Sequence, residues 1–264
     1  MTKLIAEIGW NHMGDMKLAK EMISTANESG ADFAKFQTWS VDRLKSGVWD
    51  TDGRRKIYEN AELDLDKHIE LKEYCDKVGI GFMSSVFSIE DAKLLKQVVT
   101  DYVKIPSFES RNDELINYCS DCFEHIILST GTSKASEITT SIGGIANITL
   151  LHCVSSYPCN LDIVNLPRID KLRELSPSVG FSDHTKGVDV SILSLGYDLD
   201  FIEKHFTIDN DLPGRDNKFA ILPDELKQLK NSIDIFARVN KNLGGDYQEC
   251  ELDSRENYTG RFNG

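Results

Sequence analysis

The sequence predicts an α/β chain closed into a (β/α)8 barrel, the TIM-barrel arrangement. Three observations lead there. Short β-branched or aromatic runs alternate with longer stretches at helical period, eight times over, almost to the end of the chain. The first run is followed by Asn11-His12-Met13-Gly14, not by the glycine-rich phosphate loop of a doubly wound open sheet. The 264 residues match one barrel, which takes about 250, and no Pro/Gly/Ser-rich linker splits them.

The elements follow in order. Strands are expected at 4–10, 32–39, 80–87, 102–108, 125–130, 148–154, 178–182 and 201–206. A helix follows each, because consecutive parallel strands need a crossover. Asp15 caps the first helix, 17–29, and Gly30 stops it. Further helices are read at 66–77, ending near Gly79, and at 89–99. Pro223-Asp224-Glu225 opens the last one, with acidic residues on its positive end. The widest irregular stretch is 40–62, after the second strand, where charged residues surround Trp49 and Tyr58. Loops of that length in compact domains are often lids. The reading therefore assigns 1–243 to the barrel and 244–264 to a C-terminal tail.

Composition excludes several classes. With 30 Lys+Arg against 43 Asp+Glu the net charge is −13, and a nucleic-acid binder needs a basic face. No window approaches 18 uncharged apolar residues, so no membrane partner is expected. The N-terminus reaches Glu7 before any signal-like apolar run builds up, which points to the cytoplasm and to reduced thiols. Cys119 and Cys122 form one C-x-x-C near His125. Small residues on a helix explain it better than a zinc site, which needs a further ligand pair.

In a barrel, reactive groups gather at the C-terminal ends of the strands. Here nearly every strand ends in polar residues: Glu7 to His12, Lys35 and Gln37, Ser84-Ser85, Lys104 to Glu109, Ser129 to Gly131, Ser155 to Tyr157, Ser182 to Thr185, and Glu203 to His205. Lys35 and Lys104 interrupt apolar runs, and a buried ammonium needs a partner. Two readings follow. Each lysine pairs with an interior carboxylate such as Glu7 or Glu109, or the two form an anion cradle with Ser85, Ser107 and Ser129. His184 and His205 sit one βα unit apart, so similar strand positions bring their imidazoles together. Such a pair suits a divalent ion with open positions. His152 lies deeper, as a core or supporting group. His12, His68 and His125 are read as surface or local packing groups.

The segments AEIGWNHMGD, AKFQTW, FMSSVFS, VKIPSFE, ILSTGTS, LLHCVSSYP, GFSDHT and IEKHFTIDNDLPGRD run in order from residue 6 to residue 216. In them the chain resembles the N-acetylneuraminate (sialic acid) synthases and their legionaminate and pseudaminate relatives. The resemblance implies condensation of phosphoenolpyruvate (PEP) with the open-chain aldehyde of an N-acetylated amino sugar. It implies His184 and His205 as ligands of Mn2+ or Mg2+. It implies Lys35, Ser85, Lys104, Ser107, Ser129 and Ser182 as the PEP-binding set, joined by Ser155, where many members carry Asn. Glu7, Gln37, Glu109, Tyr157 and Asp216 fall around the sugar and the reacting carbons. Glu109 is the implied general base toward water, with Glu7 and Lys104 also catalytic. Members of the family carry a further antifreeze-like (SAF) domain whose arginine contacts the sugar, and this sequence ends in a tail holding Arg255 and Arg261 instead. A homodimer is the expected assembly. The competing readings are a metal-dependent aldolase or isomerase on another sugar, and an inactive sugar-binding relative.

Overall fold

The computed structural model describes residues 1–263. Eight parallel strands close in sequence order into one barrel. They are β1 (Lys3–Gly9), β2 (Phe33–Thr38), β3 (Gly81–Val86), β4 (Tyr102–Ile105), β5 (His125–Ser129), β6 (Ile148–Cys153), β7 (Ser178–Asp183) and β8 (Phe201–His205). Closure pairs β1 with β8 as well as β2, placing Glu7 opposite both Lys35 and His205.

The helices wrap the outside. They are α1 (Met16–Glu28), α2 (Arg54–Ala61), α3 (Leu65–Val78), α4 (Ile89–Leu95), α5 (Asp113–Cys122), α6 (Ala135–Ile142), α7 (Arg168–Arg173), α8 (Asp189–Ser194), α9 (Pro223–Val239) and α10 (Leu252–Asn257). Asp15 caps α1 through the backbone N–H groups of Lys17 and Leu18, and Gly79 ends α3 at φ 86°. Pro223 opens α9. Two elements are shorter than expected. β4 stops at Ile105 because Pro106 has no N–H to continue a ladder, and residues Ser107–Glu109 form a single tight turn instead. α4 stops at Leu95 rather than at Val99.

Strand alternation sorts the side chains. Leu4, Ala6 and Ile8 of β1 face the helices and join the main core. Ile5 faces the bore, where it meets Phe33, Met83, Ile127, Leu151 and Phe201. These six apolar side chains plug the bore. Lys3 lies over the rings of Phe33, Tyr102 and Phe201. Glu7, Lys35, Ser85, Lys104 and Ser129 come two residues further along their strands, toward the mouth. Polar groups therefore fill the bore above an apolar floor.

The stretch 40–62 holds two tight turns and α2. It is pinned by an Arg43–Asp91 ion pair and by Val41 N–H donating to the Glu62 carboxylate at 2.9 Å. The expected tail, 244–264, is described to residue 263 and is exposed throughout. Arg255 and Arg261 stack over the tail's own Tyr247 and Tyr258. Cys119 is buried in the core and Cys122 is half-buried on α5, while His125 Nε2 bonds Thr149 Oγ1 at 2.7 Å.

Of the histidines read as surface or local packing groups, His12 and His68 are packing groups, fully buried. His12 packs edge-on against Phe36 and its Nδ1 accepts from Gly14 N–H at 3.1 Å. His68 joins Thr38 Oγ1 and the Asp64 carbonyl, each at 2.8 Å. His152 is where the sequence put it, stacked on Phe181 and donating to the Val164 carbonyl at 2.6 Å. Burial pushes the imidazoles of His12 and His152 down to about 4. An unfolded histidine takes up a proton near 6.5. Between those values the unfolded chain binds more protons, so stability rises with pH and is lost as pH falls from 6.5 toward 4. Each histidine contributes about 1.4 kcal/mol per pH unit inside the window. Urea midpoints measured across it are expected to show this slope, shallower in His12→Gln, and an unchanged slope in that variant refutes the assignment.

Candidate active site

The two buried lysines anchor the bore. Lys35 Nζ lies 2.6 Å from Glu7 Oε2 and 3.5 Å from Glu203 Oε2, and donates to Ser85 Oγ at 2.9 Å. Gln37 Nε2 donates to the other Glu7 oxygen at 2.8 Å. Lys104 Nζ donates to Ser129 Oγ at 2.7 Å and lies 3.9 Å from Glu203 Oε1. Ser182 donates to that same oxygen at 2.8 Å. The carboxylate pairing read from the sequence is present, and Ser85 and Ser129 hydroxyls also contact the lysines. The pairing differs in one respect. Lys104 meets Glu203, not Glu109.

Electrostatics follow from this crowding. Burial raises a carboxyl, but Lys104 and Lys35 together overcome it and hold Glu203 at about 2. Burial also raises Glu7, and there Lys35 fails to overcome it because the Glu203 charge adds to the rise. Burial draws Lys35 down, yet Glu203 and Glu7 outweigh it and its pKa ends above the ordinary value. Lys104 has the weaker counter-charge, and burial leaves it below the ordinary value. Glu203 is thus the fixed negative centre between two buried cations.

A second cluster stands above Lys104. Gly131 N–H donates to Ser107 Oγ at 3.1 Å, and Ser107 Oγ is 3.4 Å from Cys153 Sγ. A Cβ at Gly131 would lie 2.5 Å from Ser155 Oγ and 2.7 Å from Ser107 Oγ. Only glycine lets the backbone come so near both hydroxyls. Ser155 Oγ is buried without a hydrogen-bond partner.

The imidazoles of His184 and His205 do come together, with ring centroids 5.5 Å apart. Tyr157 packs on both, at 4.2 Å and 5.9 Å. His184 Nδ1 donates to the Val154 carbonyl at 2.7 Å, which leaves Nε2 as the free lone pair. His205 Nδ1 is buried without a hydrogen bond, 4.0 Å from Asp216 Oδ2. Burial and the neighbouring His184 hold His205 well below its ordinary value. His184 goes the other way, since Cys153, Val154 and Glu203 outweigh its burial. An orphaned imidazole nitrogen beside a second imidazole fits a divalent ion. Among the described residues no group of three or more His, Cys, Asp or Glu that could hold a metal ion comes together. Asp216 also accepts from Trp10 Nε1 at 3.0 Å, and burial raises its pKa.

Glu109 stands apart. It lies half-buried on the turn after β4 and accepts from Asn112 Nδ2 at 2.8 Å. Sequence reasoning counted Glu203 and Gly131 among the polar strand ends without giving either a role, and passed over Cys153. Parity carried a signal for the first. Phe201, Glu203 and His205 alternate on one face of β8, so Glu203 faces the bore. Lys204 faces the helices, 2.9 Å from Asp183 Oδ2.

Buried lysines, hydroxyls and two adjacent imidazoles thus converge at the mouth of an apolar-floored barrel. The family model described as the NeuB family matches residues 22–245, and the chain belongs to that family. It is similar to the N,N'-diacetyllegionaminic acid synthase of Campylobacter jejuni, 34% identical over 97% of this chain and 81% of that protein. The enzyme of the same name from Legionella pneumophila is 36% identical over 87% of this chain and 70% of that protein. Among solved structures, the N-acetylneuraminic acid (sialic acid) synthetase of Leptospira borgpetersenii, in complex with citrate, superposes with a TM-score of 0.88 at 31% identity. That match covers 99% of this chain and 92% of that one. No helix among the described residues is long and apolar enough to cross a membrane.

Removing the shared counter-charge tests the network. Glu203→Gln is expected to destabilise the fold by about 3–5 kcal/mol, because it strands two buried ammonium groups. A urea midpoint equal to the wild type's would contradict the role given to Glu203.

Proposed function

We propose that the chain condenses PEP with the open-chain aldehyde of an N-acetylated amino sugar, giving a nonulosonic 2-keto acid and inorganic phosphate. The observation that carries this is the buried pair Lys35 and Lys104, ringed by serines and opening beside His184 and His205. The names of the NeuB relatives support the same reaction class.

PEP carries a carboxylate and a phosphate close together. Lys35 and Lys104 supply two positive charges in a low-dielectric bore, where they act far more strongly than in water. Ser85, Ser107, Ser129, Ser155 and Ser182 offer hydroxyls to its oxygens. Held there, C3 of PEP attacks the aldehyde carbon, and that carbonyl oxygen takes a proton. Cationic character then develops at C2. Water adds to C2 as Glu109 removes its proton. The bond from C2 to the phosphate oxygen then breaks, phosphate leaves with the remaining hydroxyl proton, and C2 becomes the ketone. Glu7, Gln37, Tyr157 and Asp216 line the sugar side of this path. An Mn2+ or Mg2+ ion held by His184 and His205 would polarise the aldehyde as a Lewis acid. We place the enzyme in the cytoplasm, where its six free cysteines stay reduced. We assign catalysis to residues 1–243, in a homodimer.

Phosphate release with PEP, Mn2+ and a panel of N-acetylated amino sugars tests the reading directly. Release is expected only with PEP and an amino sugar together. Turnover without PEP points to an aldolase or isomerase instead. His205→Ala, folded by circular dichroism, is expected to lose turnover by at least about 100-fold. For Glu109→Gln, kcat is expected to fall on the order of 100-fold while the KM for PEP stays within about twofold. Wild-type kcat in either variant removes the corresponding role.

A further inference from the structure

We propose that the buried ion pair Asp183–Lys204, on the helix side of the barrel, is a positioning device that sets His184 and His205 relative to one another. This deepens the metal reading of the two histidines and rests on it. Asp183 ends β7 and directly precedes His184. Lys204 directly precedes His205, the last residue of β8. The parallel register stands the two charged residues side by side. Both face the helices, while the residues that follow them carry their imidazoles to one place, 5.5 Å apart. Lys204 Nζ lies 2.9 Å from Asp183 Oδ2, and the two residues are 2% and 1% exposed.

The remaining bonds of the pair close around His184. Asp183 Oδ1 accepts from Thr185 N–H at 2.8 Å, and Lys204 Nζ donates to the Thr185 carbonyl at 2.6 Å. Thr185 is therefore held at both of its backbone polar groups, and His184 is strung between it and Asp183. Asp183 Oδ2 also accepts from Ser191 Oγ at 2.6 Å, which ties the clamp to α8. On the other side, the His184 carbonyl accepts from Cys159 N–H at 2.8 Å. The imidazole thus leaves a backbone fixed on both flanks, with Nδ1 engaged by Val154.

Stability alone does not call for charge here. A buried ion pair loses its hydration, and well-packed apolar side chains of similar volume often stabilise as well or better. Charge adds direction: an ammonium and a carboxylate bond particular backbone atoms at short range, which methyl groups cannot do. Register matters as well. A slip of one residue would turn His205 toward the helices, and the opposed charges resist it because the slip would part them. Neither residue contacts the bore carboxylates Glu7 and Glu203, so the pair acts on the mouth through the backbone it holds. Groups that orient a metal ligand from behind commonly carry about 10–100-fold of the metal affinity.

The test titrates free Mn2+ with the protein and follows its electron paramagnetic resonance signal. The wild-type chain is expected to bind Mn2+ and His205→Ala to lose that binding. Two paired variants remove the charges without stranding either one. Asp183→Asn with Lys204→Met keeps an acceptor for Thr185 N–H, and is expected to weaken Mn2+ binding about tenfold. Asp183→Leu with Lys204→Met keeps neither tie, and is expected to weaken it further, toward about 100-fold. Ser191→Ala controls for stability, since it costs Asp183 one hydrogen bond but leaves both ties to Thr185. Its urea midpoint is expected to fall while its Mn2+ affinity stays within about twofold of the wild type's. Wild-type Mn2+ affinity in whichever paired variant folds by circular dichroism overturns the positioning role and leaves the metal reading intact. An equal loss in Ser191→Ala makes the effect one of stability and also overturns it. A wild-type chain that leaves the Mn2+ signal unchanged overturns the metal reading, and the positioning role with it.

Discussion

Lys35 and Lys104 sit inside a barrel whose floor is apolar, and Glu203 is the counter-charge they share. Without it the bore would hold two like charges with only Glu7 to offset them, and burial would drive the lysines toward neutrality. With it, positive charge persists where water is scarce and screening is weak. The six-residue apolar plug beneath is part of the same arrangement, because it leaves the mouth as the open side of the charged bore. A net charge of −13 thus coexists with a buried cationic pair. The chain is acidic overall, and its cationic charge matters locally, in a site where two ammonium groups and several hydroxyls converge.

Much of this was legible because barrel architecture turns sequence order into spatial order. All eight strands start within one residue of where alternation placed them, though β4 stops early at Ile105, and strand parity decides which side chains enter the bore. Lys35 and Glu7 meet because neighbouring strands in parallel register carry them side by side. Long-range pairing was not legible. Lys104 belongs to β4 and Glu203 to β8, on opposite sides of the bore, and no local pattern joins residues so far apart in the chain. Glu109, adjacent in sequence, looked the better partner. Pro106 ends β4 and diverts Glu109 onto a turn outside the ladder. A proline in plain sight thus decided a pairing that composition alone had left open.

The histidines show the same division. His184 and His205 were placed together by their spacing on adjacent strands. His12 and His68 were not recognised as buried, because their burial depends on loops folding over them. His68 lies on α3 and reaches across to Thr38 at the end of β2. His12 is enclosed by the β1 loop and Phe36. Nothing in a single strand or helix period encodes such enclosure. α2 was also hidden, since its eight residues carry adjacent charges whose pairing with Asp50, Asp52 and Glu59 emerges only once the turn before them forms.

The separation of the acidic side chains bears on chemistry. Glu203 is buried, hydrogen-bonded by Ser182 and flanked by two ammonium groups, so its carboxylate is too weak a base to take a proton from water near neutrality. Glu7 is tied to Lys35 and Gln37 in the same bore. Glu109 alone among the three is free of lysine contact, half-open at the rim, with one hydrogen bond from Asn112. Roles divide between carboxyl groups when their surroundings differ. Holding an ammonium in place requires a carboxylate that stays ionised, and receiving a proton requires one that does not resist it. The bore meets the first need with Glu203, and the role proposed for Glu109 asks the second of a carboxylate on the turn set by Pro106.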